Sequence, residues 1–401
     1  MKVAIINSVC GTGSTGEICV KLSEKLLDSK IDCKIFYGIG ESNYDNSIKF
    51  SYTFDVKLHQ LRTRVLGKHA FYSELSTYRL INMLKEYDPD IIHLHNLHGH
   101  YINVKLLFKF LSKSRKKIIW TFHDCWPYTG HCTHYTIAKC YKWKNGCEKC
   151  IQQKKYPISL FFDRSRKAWL EKRKIFLSCS NLYIVCVSNW LKNEVKKSFF
   201  KDKNEVLSIF NSVDTNVFKP KNSDLKSKYN LNNKFIILGM YGKWTELINL
   251  SILDFLNSNL PLDAVIILIG KKDKKIETDK ILTFDKITNR DKLADFYNMA
   301  DVFVNLSAED SFGLVNIEAL ACGTPVIVYD STASPEIVGR DEKCGYVVNI
   351  GDKFDLLYSI LKIYKNGKNK YSKNCINRVK KFYDDKNNYN EYLDLYRRLI
   401  K

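Results

Sequence analysis

The sequence predicts an α/β protein made of two doubly wound parallel-sheet domains. Short β-branched runs alternate with helical patterns along almost the whole chain, an order typical of parallel sheets covered by helices on both faces. The series occurs twice, and an irregular segment over 210–220, rich in Asn and Ser and closed by Pro220, separates the halves. The 401 residues also suit two domains.

Nine runs have the composition of buried strands. Five precede the irregular segment and four follow it: Lys2–Ile6, Cys33–Tyr37, Ile91–Leu94, Lys117–Phe122, Tyr183–Val187, Phe235–Met240, Ala264–Ile269, Val302–Asn305 and Val326–Tyr329. Ligands of such folds bind beyond the carboxyl ends of the strands. The loops that follow strands are therefore where we look for function.

Composition excludes several classes of protein. A content of 45% hydrophobic and 27% charged residues is that of a globular chain, not of a disordered or fibrous one. The longest apolar run, Ala264–Gly270, is far shorter than the ~20 residues of a membrane-spanning helix. The apolar run Val3–Ile6 is too short for a signal-peptide core, so we expect a cytoplasmic protein whose 13 cysteines are thiols or metal ligands.

The charge indicates an anionic partner. Lys and Arg number 64 against 43 Asp and Glu, a net charge of +21. Nucleic acid, phospholipid and phosphorylated small molecules all fit this excess, and so does an ordinary solvated surface. No nucleic-acid-binding module is recognisable, so a basic nucleic-acid-binding protein is the alternative outside the enzymes.

A glycine-rich loop follows the first strand. Gly11, Gly13 and Gly16 form a G-x-G-x-x-G pattern that opens a helix, where backbone N–H groups can approach a phosphate. A nicotinamide oxidoreductase would also need an acidic residue at the end of the second strand, which instead ends in Tyr37 and Gly38. A tight turn without function is the simpler alternative.

Histidines gather after two strands of the first half. His93, His95, His98 and His100 lie in and after one strand, and His123 with Asp124 directly follows the next. We expect His93 to be a buried structural residue, and we expect a functional role only for His123.

Four cysteines in a polar tract could share one metal ion. Four thiolates bind zinc tetrahedrally, and His131 and His134 are possible substitute ligands. The spacing matches no standard zinc finger, so free or reversibly oxidised thiols remain the alternative. The four are Cys132, Cys140, Cys147 and Cys150.

The most specific motif spans Ser307–Val326. A strand ends at Asn305, a loop presents Glu309 and Asp310, and a helix begins near Gly313 and carries Glu318. A separation of eight residues is close to two helical turns, so we expect the carboxylates of Asp310 and Glu318 to face one crevice. The N–H groups of Gly313 and its successor would meet a diphosphate there.

These residues resemble the retaining glycosyltransferases of family 4, which have the GT-B architecture of two facing Rossmann-like domains. The two acidic residues with seven residues between them carry the resemblance. Further support comes from four short motifs and from the Cys-rich tract Thr121–Cys150, which is similar to an insertion in a subgroup from bacterial polysaccharide gene clusters. The four motifs are Val187–Leu191, Asn211–Pro220, Ala300–Asn305 and Ser334–Glu336.

The resemblance implies a division of labour along the chain. An acceptor-side domain would occupy 1–205, with the Cys-rich insertion at 123–150, and a nucleotide-sugar-binding domain would occupy 206–380. A terminal helix over 381–401 would pack back toward the first domain. The resemblance further implies that Glu318 binds the nucleotide ribose and that Asp310, or its neighbour Glu309, contacts the donor sugar.

The remaining site residues follow from the same motif. His123 would lie near the sugar ring, and Gly13 and Gly16 near the donor phosphates or the acceptor. The other donor-binding residues implied are Ser311, Phe312, Gly313, Leu314 and Lys243.

One departure from the family pattern concerns the diphosphate. Family members carry an Arg and a Lys after the first strand of the second domain, where Leu247 and Ile248 stand here. Either Lys243 and the amino terminus of the helix at Gly313 neutralise the leaving group, or the protein is a catalytically weakened paralogue. A GT-B epimerase is the other enzymatic alternative.

We therefore expect a metal-independent glycosyltransferase of the hexosyltransferase type. It would move a sugar, with retention, from a nucleotide sugar to a growing, lipid-linked bacterial surface glycan such as capsule or O-antigen. We also expect peripheral attachment at the inner face of the cell membrane. The basic run Lys105–Lys117 and the segment Lys154–Lys174 suggest it, and an ordinary core-facing amphipathic helix with a solvated basic side is the alternative for that segment. As an interfacial helix, the segment would bury its apolar residues in the membrane while its basic residues meet headgroups. The apolar residues are Leu160, Phe161, Phe162, Trp169 and Leu170, and the basic ones are Arg164, Arg166, Lys167, Lys172, Arg173 and Lys174.

Overall fold

The computed structural model describes residues 1–203 and 205–400, apart from the side chains of Leu247 and Ile248. The chain divides into two compact units. The first unit comprises Met1–Ile209 and the C-terminal residues from Tyr389, and the second comprises Phe210–Asn388. One boundary between the units lies at the start of the segment that the sequence marks as irregular, and the other lies within the last helix.

The first unit contains a seven-stranded sheet in the order β3-β2-β1-β4-β5-β6-β7, and all its strand pairs are parallel. Its strand order reverses between β1 and β4, which places the switch point of the sheet there. The strands are β1 (Lys2–Asn7), β2 (Asp32–Tyr37), β3 (Ser47–Lys49), β4 (Ile91–Leu94), β5 (Lys117–Phe122), β6 (Leu182–Cys186) and β7 (Val206–Ser208).

Six helices within residues 1–203 cover this sheet. They are α1 (Gly13–Asp28), α2 (Thr53–Leu66), α3 (Glu74–Tyr87), α4 (Val104–Leu111), α5 (Ser165–Leu177) and α6 (Asn189–Val195), with a 3₁₀ turn at Lys142–Lys144. The core is continuous from the central strands to the C-terminal helix, because Tyr392 and Tyr396 are buried with Val3 and Ile35 in one cluster.

The second unit contains a six-stranded parallel sheet in the order β10-β9-β8-β11-β12-β13, with its switch point between β8 and β11. The strands are β8 (Phe235–Met240), β9 (Ala264–Gly270), β10 (Ile281–Asp285), β11 (Val302–Asn305), β12 (Val326–Tyr329) and β13 (Gly345–Val348). The helices are α7 (Leu225–Lys228), α8 (Tyr241–Trp244), α9 (Leu247–Asn259), α10 (Arg290–Met299), α11 (Leu314–Ala321), α12 (Ser334–Val338), α13 (Lys353–Asn366) and α14 (Asn369–Phe382). The last helix, α15 (Asp385–Ile400), begins in the second unit and belongs to the first from Tyr389 onward.

The predicted fold class is confirmed, and all nine predicted strands form within a residue or so of their predicted bounds. Four further strands escaped prediction: β3, β7, β10 and β13. Each of them lies at an edge of its sheet. An edge strand has a neighbour on one side only and is often short, so its sequence need not carry a long apolar run.

None of the helices among the described residues is both long and apolar enough to cross a bilayer.

Candidate functional site

The loops at the switch point of the second sheet bring Asp310 and its neighbours to the carboxyl end of β11. Asn305, the last residue of that strand, is buried, and its amide nitrogen donates to Asp310 Oδ2 and to Asn316 Oδ1, each at 3.0 Å. The side-chain oxygen of Asn305, Oδ1, accepts from the Ser307 backbone N–H at 3.1 Å. One buried amide thus fixes the Asp310 carboxylate and the start of the loop together.

Gly313 permits this close arrangement. Its φ of 88° is in the left-handed region, and a Cβ added there would lie 2.7 Å from Asn316 Nδ2 and 3.5 Å from Asp310 Oδ2. Any side chain would therefore collide with the amide of Asn316. The helix α11 begins at the next residue, so its amino terminus lies beside the Asp310 carboxylate.

Glu318 is positioned by a different element. The hydroxyl of Tyr297, on α10, donates to Glu318 Oε2 at 3.0 Å. Burial, together with the Glu318 carboxylate, raises the pKa of Tyr297, so its hydroxyl stays protonated and remains a donor. Glu318 itself is partly exposed, which leaves room for a ligand at the carboxylate.

The helical spacing that was expected to align the two acidic residues does not apply to them. Because α11 begins at Leu314, Asp310 lies on the preceding loop, where helical periodicity does not apply. The amide of Asn305 and the hydroxyl of Tyr297 place the two carboxylates instead. The sequence predicts Asn305 as the end of a strand, but it does not predict that either residue holds a carboxylate.

The other residues predicted in this loop differ in their exposure. Glu309, Gly313 and Leu314 are partly exposed. Phe312 is buried, with its ring centroid 5.7 Å from that of Tyr383, so its side chain belongs to the core. Ser311 is also buried, and its hydroxyl has no hydrogen-bond partner among the described residues.

Lys243 follows the other strand of the switch point. It lies on α8, and its Nζ is 3.0 Å from Glu246 Oε1. The side chain is about two-fifths exposed, so solvent weakens this ion pair and leaves Lys243 able to turn toward an anion. The side chains of Leu247 and Ile248, on which the departure from the family pattern rests, lie outside the described residues.

Asn249 joins the loops around this edge of the sheet. Its fully buried amide donates to the carbonyl oxygens of Lys243 at 2.7 Å and Leu306 at 3.0 Å, and its side-chain oxygen accepts from Tyr329 at 2.6 Å. These contacts tie the ends of β8, β11 and β12 to one side chain. No pattern in the sequence predicts this role, because the partners are up to 80 residues away.

In the first unit the glycine loop opens α1 as predicted. Gly13 has a φ of 65°, and a Cβ placed there would meet no atom within 4 Å. Gly16 is needed for packing, since a Cβ would lie 3.1 Å from Val9 Cγ2 and 3.2 Å from the Gly11 nitrogen. Gly13 is therefore the more accessible of the two predicted residues.

Three histidines lie in contact at the ends of β4 and β5: His93, within β4, has its ring centroid 4.3 Å from that of His95, which contacts His123. The ring nitrogens of His95 and His123 are 2.9 Å apart, and His93 contacts Thr121 Oγ1 at 2.8 Å and the Tyr396 hydroxyl at 2.5 Å. Burial lowers the pKa of His93 to about 3 and that of His123 to about 4, so both are neutral at pH 7. His93 has the buried, satisfied position expected of it, whereas His123 is partly exposed.

A second group of histidines lies beside the first. His98 Nε2 is 2.6 Å from Asp124 Oδ2, and its Nδ1 is 3.1 Å from the Tyr156 hydroxyl. Burial opposes ionisation of Asp124, but His98 outweighs it and lowers the pKa of the carboxyl. The rings of His69 and His100 pack edge to face, with their centroids 4.6 Å apart. The pairing of His98 with Asp124 escaped prediction, because 26 residues separate the two.

The four cysteines of the insertion line one small cavity of about 20 Å³, together with His131. Cys147 Sγ accepts from the Gly130 N–H at 3.1 Å. Burial raises the pKa of Cys147 to about 12 and of Cys150 to about 11, so without a metal both are neutral thiols. Within the described part of the chain, no set of three or more His, Cys, Asp or Glu is already placed to hold a metal ion.

Comparison with known proteins gives matches in both halves of the chain. The model described as Glycosyltransferase Family 4 matches residues 18–217, and that described as Glycosyl transferases group 1 matches residues 269–382. The putative colanic acid biosynthesis glycosyl transferase WcaC of Escherichia coli K12 is 26% identical over 189 residues, 44% of this chain and 45% of that protein. The matches span about half the length of the curated relatives.

Solved structures share the fold over nearly the whole chain. Sucrose-phosphate synthase from Thermosynechococcus elongatus has a TM-score of 0.71 at 18% identity, covering 99% of this chain and 98% of that one. Anabaena Alr3699/HepE in complex with UDP-glucose has a TM-score of 0.66 at 13% identity, covering 99% of both chains. At these identities the likeness establishes the architecture, which is GT-B.

Proposed function

We propose, from the matches of its two halves to the glycosyltransferase family 4 and group 1 models, that this chain transfers a hexose from a nucleotide sugar to a hydroxyl of a growing bacterial surface glycan, with retention at the anomeric carbon. The observation that carries this proposal is the pair of carboxylates at the end of β11. Asn305 holds Asp310 beside the amino terminus of α11, and Tyr297 holds Glu318 on that helix.

The proposed roles follow from where each group lies. Glu318, partly exposed and braced by a neutral hydroxyl, accepts hydrogen bonds from the ribose. Asp310, or Glu309 next to it, contacts the hydroxyls of the donor sugar. The N–H groups at the amino terminus of α11 and the ammonium group of Lys243 face the charge that develops on the departing diphosphate, and such stabilisation is usually a large part of catalysis.

We propose that this step needs no metal ion. Backbone amides and a lysine supply the positive charge that a cation would otherwise supply, and the acceptor hydroxyl reacts because it is held in position. Zinc, if bound by the four cysteines, would be structural and remote from the reacting groups in sequence.

For the acceptor we propose a chemical class, a bacterial surface glycan. WcaC is named for colanic acid biosynthesis, and a solved neighbour is a lipopolysaccharide outer core galactosyltransferase, so capsule or O-antigen chains are the acceptors we propose. Such chains grow on lipid carriers, which would place the enzyme on the cytoplasmic face of the membrane. His123 and the loop at Gly13 are the proposed contacts on the first unit.

A catalytically weakened enzyme is the second candidate. It is favoured by Leu247 and Ile248, which stand where the resemblance places a basic pair, and by the ion pair that occupies Lys243 in the free protein. Such a protein would bind nucleotide sugars and turn them over slowly or not at all.

A screen of nucleotide sugars separates these candidates. Thermal protection would identify the donor, since a ligand that binds only the folded state raises its stability. The donor would then be incubated with lipid-linked glycan, and the product's anomeric configuration read by NMR. Transfer with retention supports the proposal, transfer with inversion contradicts retention, and conversion of the donor sugar without transfer indicates an epimerase. Protection without any conversion indicates the weakened enzyme.

A further inference from the structure

Helix α2 exposes apolar side chains along one face. Phe54, Leu58 and Leu61 are 58%, 40% and 59% exposed and follow the i, i+4, i+7 spacing of a single helical face. The opposite face is buried and includes Val56 and His59. In soluble proteins an amphipathic helix normally packs its apolar face against the core. An exposed apolar face such as this one therefore indicates a binding surface.

A loop beside the end of α2 adds three more exposed apolar residues: Leu160, Phe161 and Phe162. The loop is held against the helix, because the Leu160 N–H donates to the Arg64 carbonyl at 2.8 Å. Gly67, just past the helix, packs so closely that a Cβ there would lie 2.3 Å from the Phe162 carbonyl oxygen. Helix and loop together form one surface, which we name the apolar patch: Phe54, Leu58, Leu61, Leu160, Phe161 and Phe162.

Basic residues surround the apolar patch. Exposed Lys57 and Arg64 extend from α2, and the guanidinium of Arg164 lies 5.3 Å from the centre of the Phe162 ring. Two nearby carboxylates already accept hydrogen bonds from the protein: Asp55 is buried and accepts from Ser76, and Asp163, although exposed, accepts from the Cys150 and Ser165 N–H groups. The surface is therefore apolar at its centre and cationic around it.

We propose that the apolar patch docks this protein on an anionic lipid bilayer. Exposed aromatic and leucine side chains can enter the interfacial zone of a bilayer while the surrounding cations meet anionic headgroups. A second copy of this chain would bring the same cationic margin against itself, so charge favours the bilayer over self-association.

The surface agrees only in part with the one expected from the sequence, since Leu160, Phe161 and Phe162 were expected at the interface and are exposed, but not as part of a helix. The expected interfacial helix within 154–174 does not form as such, since α5 begins only at Ser165. Trp169 and Lys172 are buried, and the Lys172 ammonium donates to the Trp126 and Thr129 carbonyl oxygens. The exposed aromatics lie on the loop before the helix, and α2 supplies the rest of the surface.

The patch adjoins the histidine groups of the first unit. Its loop starts at Tyr156, whose hydroxyl contacts His98, and His98 pairs with Asp124 after β5. A bilayer on the apolar patch would thus hold a lipid-linked acceptor close to the ends of β4 and β5. The placement of an acceptor rests on the proposed function, whereas the binding of the apolar patch to a membrane does not.

Co-sedimentation of the full chain with vesicles tests the proposal. Vesicles of phosphatidylcholine with 30% phosphatidylglycerol should bind the wild type, and added salt should weaken the binding. The double variant Phe161→Ser/Phe162→Ser should lose about tenfold or more in partitioning per ring, and Arg164→Glu about fivefold or more. Leu262→Ser/Phe354→Ser is the matched control, because both residues are highly exposed in the second unit, and it should bind as the wild type does.

Equal recovery with neutral and anionic vesicles, or equal binding of the patch variant and the control, would overturn the proposal. A dimer that dissociates in the patch variant would assign the surface to a second copy and overturn it as well. Thermal protection by nucleotide sugars is measured on the same variants. Vesicle binding without any such protection would refute the proposed function and leave the docking surface standing, and the reverse result would do the opposite.

Discussion

Acidification from pH 8 to pH 5 should destabilise the first unit and spare the second. All nine histidines of the chain lie between His59 and His134, within the first unit. Burial lowers the pKa of His93 to about 3 and that of His100 and His123 to about 4, and it lowers the pKa of His59, His69 and His95 as well. An unfolded histidine titrates near ~6.5.

The sign follows from proton binding. Between about pH 6.5 and pH 4 the unfolded chain binds protons at these histidines while the folded chain does not, so the free energy of unfolding falls as the pH falls. For His93, His100 and His123 the loss between pH 8 and pH 5 is about 2 kcal/mol each, or about 6 kcal/mol together as an upper value. Typical domains are stable by only about 5–15 kcal/mol.

Amide hydrogen exchange, corrected for the intrinsic effect of pH, measures the two units in one sample. Protection should fall at pH 5 in the peptides of the first unit and persist in 210–388. His100→Asn removes one titrating ring at a position with a φ of 69°, which asparagine tolerates, and should recover about 2 kcal/mol of the loss. Equal loss of protection in both units, or an unchanged pH dependence in His100→Asn, would refute the reasoning.

Three further predictions concern the site and the insertion. Asp310→Asn should lower kcat by about 10²-fold or more, because it removes a contact made in the transition state, whereas Glu309→Gln should not. Initial rates measure both variants. The reverse ranking would assign the sugar contact to Glu309. Lys243→Ala should lower kcat by a similar factor, whereas the control Lys271→Ala, at an exposed position, should not. Equal rates in the two variants would show that Lys243 does not contact the diphosphate. Metal analysis of protein purified without chelator should find about one zinc per chain, and fully folded, metal-free protein would reject a structural zinc at the cluster Cys132, Cys140, Cys147 and Cys150.

The central strands and the acidic motif were accessible from sequence because their signals are local. A strand covered on both faces, such as β9, is a continuous apolar run, and the motif that contains Asp310 and Glu318 is a short stretch of chain. Edge strands such as β3 carry no such run. The supports of the site were inaccessible for another reason, since Tyr297 and Asn249 act on groups far along the chain.

The histidine groups show the same limit. His93 has both ring nitrogens satisfied in the core, as its place within a strand suggested. The contact of His98 with Tyr156 depends on the path of a loop 58 residues later, and the exposure of α2 depends on which face the fold buries. Neither is encoded in a pattern that can be read from one segment.

The most direct measurement of the central claim is calorimetric titration of the wild type, Glu318→Gln and Glu342→Gln with UDP, GDP and short DNA. We predict that one nucleotide binds the wild type and that Glu318→Gln weakens it about 10- to 100-fold, the worth of a hydrogen bond to a charged group. Glu342 is exposed elsewhere in the second unit, so its variant should bind like the wild type. Unchanged nucleotide affinity in Glu318→Gln, or tight DNA binding with no nucleotide binding, would contradict the account.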